Sequence, residues 1–242
     1  MSMGLKQNFE RAAWKKGFRC VVGMDEAGRG PLAGPVAVGL VLIPRQSDFS
    51  RQIAAQDSKL LTPKRRRELF ELITARYPWA VGSASAREID KVGIMGALRL
   101  AIRRVWRKIK AQPNCGAPDF ILADYGLPVD ILKTDFLQMV RGDGQIFSVA
   151  CASIVAKVWR DDYMSRQDKK YPRYGFAQHK GYGTRAHYAA LKKYGICPLH
   201  RVSYGLGDYQ RISAGSSTDS RPDVTCGAGL RGNDKSGQND KK

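Results

Sequence analysis

The chain has 242 residues, enough for one domain or two with a sizeable core. Its 41 Lys and Arg against 22 Asp and Glu leave a formal charge of +19, which favours a polyanionic partner, nucleic acid ahead of an acidic membrane. No apolar run approaches the ~20 residues of a membrane span, the basic N-terminus lacks the apolar core of a secretory signal, and the five scattered cysteines show no CxxC spacing. A cytoplasmic protein with reduced thiols is therefore expected, with neither a membrane role nor a zinc or disulfide framework.

In chain order, residues 1–17 form a basic segment with helical spacing at Phe9, Ala12 and Ala13, expected to pack loosely on the body. Val21, Val22 and Met24 then run straight into Asp25 and Glu26. A Gly28-Arg29-Gly30 turn, Pro31 and Gly34-Pro35 follow, and a second apolar run extends from Val36 to Ile43. Two apolar runs bracketing Gly and Pro predict paired strands with an irregular turn. Thr62 and Pro63 make an N-cap and first-turn pair for a helix through Lys64 to Ala75. Residues 77–85 read as a strand, and 86–110 as a long helix interrupted by Gly93 and Gly96, with Leu98, Ile102 and Trp106 facing inward.

Phe120 to Ala123 reads as a short buried strand ending at Asp124. Residues 135–141 predict a further strand with Gly142-Asp143-Gly144 as its exit turn. Residues 145–167 predict a helix whose apolar face (Ala150, Ile154, Val158) is rich in small neighbours and so lies close to the sheet. Residues 171–184 read as a loop of aromatics and bases, and 185–194 as a last helix. From about Ser213 the composition shifts to Ser, Gly, Asp, Asn and Lys, so 213–242 is expected to be a disordered tail. That tail holds five bases and four acids, which leaves +18 of the charge on residues 1–212. The order of elements predicts a mixed α/β fold with an early hairpin and helices on the sheet.

Asp25 with Glu26, Asp124 and Asp143 share one context: each stands at or just beyond the end of a predicted apolar strand, where the side chains of α/β sites converge. No Lys or Arg adjoins the first three in sequence, so their repulsion calls for compensation from outside the chain. Two divalent cations would supply it, and hard oxygen donors suit Mg²⁺ or Mn²⁺. Taken singly, each acid also reads as an ordinary turn or capping residue. Carboxylates for metal inside a basic body point to phosphodiester chemistry. The histidines (His179, His187, His200) form no zinc pattern.

The chain resembles bacterial type 2 ribonuclease H. The matching stretches are GMDEAGRGPLAGPV at 23–36, DSKLL at 57–61, ILADY at 121–125, GDG at 142–144 with SVACASIVAKVWRD at 148–161, YGFAQHKGYGT at 174–184 and PLHRVSY at 198–204. They keep the family's order and span most of residues 18–206. The resemblance implies a ribonuclease H-like mixed sheet with flanking helices and a helical C-terminal part, as a catalytic domain over 18–212. It implies cleavage of RNA in RNA–DNA hybrids and incision of duplex DNA 5′ of an embedded ribonucleotide, leaving 3′-hydroxyl and 5′-phosphate ends. The family's metal-binding quartet falls on Asp25, Glu26, Asp124 and Asp143. Its ribose-reading element falls on Gly28, Arg29 and Gly30, and its junction-reading tyrosine on Tyr182. Lys59 and Lys157 correspond to phosphate contacts, and a monomer is expected.

Asp161 is read as a structural ion pair with Arg160, and Asp162 as solvated. His179 and His200 are open to either a substrate-facing or a packed role. A different class of function is a non-catalytic hybrid-binding protein whose acids are turn residues. A third is another metal-dependent nuclease or a nucleotidyl transferase on the same fold. Negative charge at the centre of a basic cleft separates the first from a catalyst, and the Gly-Arg-Gly element with Tyr182 argues against the second.

Overall fold

Two central strands carry the architecture: β1 (Cys20–Ala27) and β2 (Val36–Pro44) pair antiparallel, as the bracketed apolar runs predict. β3 (Trp79–Ala84) continues antiparallel beyond β2, while β4 (Phe120–Asp124) and β5 (Asp135–Met139) add parallel on the β1 side. The strand order is β3-β2-β1-β4-β5. This computed structural model describes residues 7–45, 61–113 and 116–209. The chain separates into two units, Met1–Ile212 and Ser213–Lys242, and every described residue belongs to the first. The predicted tail and Lys59 lie outside the described residues.

Helices cover both faces. α3 (Ala86–Lys110) lies on β2 and β3, and α4 (Phe147–Asp168) lies on β1 and β2 from the other side. With both faces covered, β1 and β2 read as continuous apolar runs rather than alternating ones. The pleat still sorts their side chains. Val21, Ala37, Val41 and Ile43 join Val149, Ile154 and Val158 of α4, whereas Val22, Met24, Val38 and Leu40 join Leu98, Ile102 and Val105 of α3. Small residues let α4 approach closely: a Cβ on Gly39 would lie 2.4 Å from the Ala152 carbonyl oxygen.

α2 (Pro63–Arg76) packs on α4, and Thr62 caps it by accepting the Arg65 amide at 3.2 Å. Ser85 and Glu88 form a capping box at the start of α3, and Gly93 breaks that helix with a φ of 70°. β4 takes in Asp124 itself, one residue beyond the expected strand, whereas β5 stops at Met139, two residues short of it, and Arg141 turns left-handed at φ 56°. Residues 171–184 are more ordered than a loop, with a 3₁₀ turn at Pro172–Tyr174 and one helical turn, α5 (Phe176–His179), before α6 (Arg185–Tyr194).

α1 (Asn8–Lys15) departs from expectation most clearly. It packs firmly, with Trp14 and Glu10 buried. The Glu10 carboxylate accepts the Ser148 amide at 2.7 Å, capping α4, whose own N-cap residue Ile146 offers no side-chain acceptor. Apolar spacing alone gives no sign of an anchor made by a buried acid. Among the described residues no helix is long and apolar enough to cross a membrane.

Candidate active site

The parallel register sets Met24 opposite Ala123, so Asp25 and Asp124 come next on neighbouring strands. Alternation turns both toward α4, in line with Val21 and Leu122 of the α4-facing core, while Glu26 follows Met24 toward the α3 side. Asp143 lies in the 3₁₀ turn Gly142–Gly144 that leads into α4. The Asp124 carboxylate accepts the Gly142 amide at 2.8 Å, which ties the end of β4 to that turn. Asp25 and Asp143 are 5% and 4% exposed, too buried for ordinary solvated turn acids.

Burial first, then the charge of Glu26 and to a lesser extent that of Asp124, hold the Asp25 carboxyl well above the usual carboxylate range. A hydrogen bond from Ser153 of α4 and the Glu26 amide, at 2.7 Å, pull the other way. The chain does supply one compensating cation, contrary to expectation. Arg29 Nε lies 2.8 Å from Glu26 Oε1, because the turn after β1 folds back over three residues. Among the described residues no three acidic, histidine or cysteine side chains form a ready-made metal cage. The donor set is nevertheless all carboxylate oxygen, with Asp25 and Asp143 buried, Glu26 and Asp124 half-buried, and Asp25 repelled by Glu26 and Asp124, and this fits a hard divalent cation.

Beside the acids, Gly28 takes a φ of 95°, a region that favours glycine. Its carbonyl and that of Arg29 turn inward to Arg201, at 2.7 and 2.8 Å. The Arg29 side chain also reaches the Gly126 carbonyl at 2.8 Å. Gly30 is exposed, with open space where a Cβ would be. Tyr182 is 42% exposed. Lys157 Nζ lies 5.6 Å and Arg160 Cζ 5.8 Å from its ring centre. The amide of Leu32 donates to the Gly181 carbonyl at 2.8 Å, so the loop and the tyrosine segment are joined directly.

Lys157 is bound to Asp161 at 2.8 Å. Asp161 also faces Arg66 at 3.9 Å rather than pairing with its neighbour Arg160. Asp162, expected to be solvated, is paired with Arg67. His187 and His200 are buried within the C-terminal core, and His179 stacks on His187 with ring centres 4.4 Å apart, so these rings are packed together. Sequence reasoning missed Ser153, Arg160 and Arg201 as parts of the site. All three fall inside the matching stretches at 148–161 and 198–204, but a buried arginine looks like any other in a chain with 41 bases.

Comparison with known proteins identifies the family and the fold. The family model described as Ribonuclease HII matches residues 22–206. Ribonuclease HII of Acetivibrio thermocellus is 42% identical over 197 residues, covering 81% of this chain and 73% of that protein. The crystal structure of ribonuclease H2 from Pyrococcus horikoshii superposes with a TM-score of 0.63 at 25% identity, covering 77% of this chain and 94% of that one. Bst-RNase HIII in complex with Mn²⁺ shares the fold, with a TM-score of 0.58 at 18% identity over 81% of this chain and 70% of that one. With its mixed five-stranded sheet, its helical C-terminal part and these relatives, the chain belongs to the ribonuclease HII family and is an endoribonuclease that degrades the RNA of RNA–DNA hybrids.

Proposed function

We propose that this enzyme also incises duplex DNA 5′ of an embedded ribonucleotide, leaving 3′-hydroxyl and 5′-phosphate ends, and that it uses two divalent ions held by Asp25, Glu26, Asp124 and Asp143. The observation that carries the reading is that Asp25 of β1, Asp124 of β4 and the turn before α4 that carries Asp143 are tied together, with Arg29 of the glycine turn bound to Glu26 and that turn bonded to the segment of the exposed Tyr182. Ions held by these four carboxylates would supply charge to activate a water and to stabilise the leaving oxygen in an in-line displacement. A structural relative solved with Mn²⁺ supports a divalent ion of the Mn²⁺ or Mg²⁺ kind.

The chain's own residues do the selecting. Gly28, Arg29 and Gly30 present backbone to the sugar, and the 2′-hydroxyl is the group that distinguishes RNA from DNA. Tyr182 offers an exposed ring face for the next, deoxyribose-bearing nucleotide. Lys157 reaches a phosphate once its pairing with Asp161 is shared, and Lys59 is assigned a second phosphate. A protein acting as a cytoplasmic monomer, with residues 18–212 as the catalytic domain, fits this role in ribonucleotide removal. The test is to map the ends released from an end-labelled DNA duplex holding one ribonucleotide. A single cut on the 5′ side with a 3′-hydroxyl supports the reading. A cut on the 3′ side, or none while a uniform hybrid is degraded, contradicts it.

A further inference from the structure

The turn at residues 28–35 is wrapped round two guanidinium groups. Arg160 of α4 donates from Nε to the Pro35 carbonyl at 3.0 Å, from Nη2 to Ala33 at 3.1 Å and from Nη1 to Lys180 at 3.1 Å. Arg201 donates from Nε to Gly34 at 3.0 Å, from Nη1 to Arg29 at 2.8 Å and from Nη2 to Gly28 at 2.7 Å. Both side chains are 0% exposed. Among the described residues neither is ion-paired to a carboxylate. A buried charge persists only where hydrogen bonds replace its water, and here six carbonyls do so. Every one of the six belongs to the turn or to the segment leading into Tyr182.

The bonds fix direction as well as position. A trans peptide points each N–H away from the C=O before it. With the Gly28 and Arg29 carbonyls turned inward to Arg201, the amides of Arg29 and Gly30 turn outward. Tyr204 reinforces this by donating its hydroxyl to the Arg29 carbonyl at 2.7 Å. Arg160 spans both elements, since it binds the turn on one side and lies against the Tyr182 ring on the other. A Cβ on Gly28 would meet Arg160 Nε at 2.1 Å, so glycine is what lets the two seat together. Lysine cannot replace either group, because carbonyls met separately by Nε, Nη1 and Nη2 match a guanidinium fork and not a point charge.

Resting on the reading that the turn addresses a 2′-hydroxyl and Tyr182 the following sugar, we propose that Arg160 and Arg201 are positioning residues. They hold the 28–30 peptide units and Tyr182 at one fixed spacing, and thereby set the preference for a ribonucleotide followed by a deoxyribonucleotide. Burial, and then the neighbouring charge of Arg201, pull Arg160 down to about 10, so it stays cationic at neutral pH and keeps all its donors.

The experiment compares kcat/KM on a DNA duplex with one ribonucleotide against kcat/KM on a uniform RNA–DNA hybrid of the same length. Arg201→Lys, Arg160→Lys and Tyr204→Phe are measured beside the wild type, with far-UV circular dichroism to establish folding. A merely structural role lowers the active fraction and both rates together, leaving their ratio unchanged. The positioning role lowers the ratio in the Lys variants by on the order of 10- to 100-fold, the scale of a small misplacement of a recognition element. Should Arg201→Lys not fold, Arg160→Lys and the milder Tyr204→Phe carry the same test. An unchanged ratio in the folded variants overturns the positioning role alone. A wild type that cuts the hybrid but not the single-ribonucleotide duplex overturns the underlying reading and this inference with it.

Discussion

His187 and His200 face each other Nε2 to Nε2 at 3.0 Å, both buried. The Cys197 amide donates to His200 Nδ1 at 2.9 Å, which places the His200 proton on Nε2. His187 then accepts on Nε2 and donates from Nδ1 to the Tyr182 carbonyl at 2.9 Å. This relay works only with both rings neutral, and it ends on the backbone of the exposed tyrosine.

Burial pulls both histidines from the usual 6.5 down to about 4. Between those values the unfolded chain takes up protons that the folded chain refuses, so this pair makes stability fall as pH drops from 6.5 toward 4. Above 6.5 its contribution is full and flat. Urea unfolding midpoints at pH 7.5, 6 and 5 should decline across the series in the wild type. His200→Asn should be less stable at pH 7.5 and decline less steeply; an equal slope contradicts the relay.

Glu10 caps α4 from 138 residues away. Glu10→Ala should cost about 1 kcal/mol, the usual value of a lost N-cap. Glu10→Gln should cost less, because it keeps an acceptor for Ser148 and removes a charge that burial disfavours. Equal losses in both, read from denaturant unfolding, would show that the cap itself contributes nothing.

The fit of α4 to the sheet depends on missing side chains. Gly39→Ala should destabilise by about 1–3 kcal/mol through overpacking, since its Cβ would press on helix backbone rather than on a movable side chain. Gly30→Ala, with open space at its Cβ, should cost far less stability, and thermal unfolding of the two variants checks the contrast.

Hybrid affinity should fall steeply with salt, by roughly tenfold or more between 50 and 200 mM, because phosphate contacts release counterions. Fluorescence anisotropy with a labelled hybrid measures it. A flat profile would mean that the +18 carried by residues 1–212 is not the binding surface.

Much of the fold was open to reading in the sequence, because its signals are local. Thr62-Pro63 starts α2, Gly93 breaks α3, and the apolar runs around Gly28–Pro35 make the hairpin. Asp25 and Asp124 were legible for the same reason, since each ends an apolar run and the parallel register then brings them together. Partner choice was less legible. Adjacent residues on a helix point apart, so Asp161 joins Lys157 one turn earlier and not Arg160 beside it. The Arg29–Glu26 pair needs the turn's geometry, which no spacing rule supplies. The guanidinium cradle is hidden altogether, because its partners are backbone carbonyls present at every position, and the histidine relay joins two rings 13 residues apart that no local spacing rule pairs.

The most direct test of the central claim is the rate of RNA–DNA hybrid cleavage as a function of Mn²⁺ or Mg²⁺ concentration, for the wild type and for Asp124→Asn. The account predicts no turnover in a chelator, saturable activation by the ion, and a loss on the order of a hundredfold or more in Asp124→Asn with hybrid affinity largely kept. Turnover that persists in the chelator, or an Asp124→Asn variant that cuts at the wild-type rate, would contradict the assignment of the carboxylates.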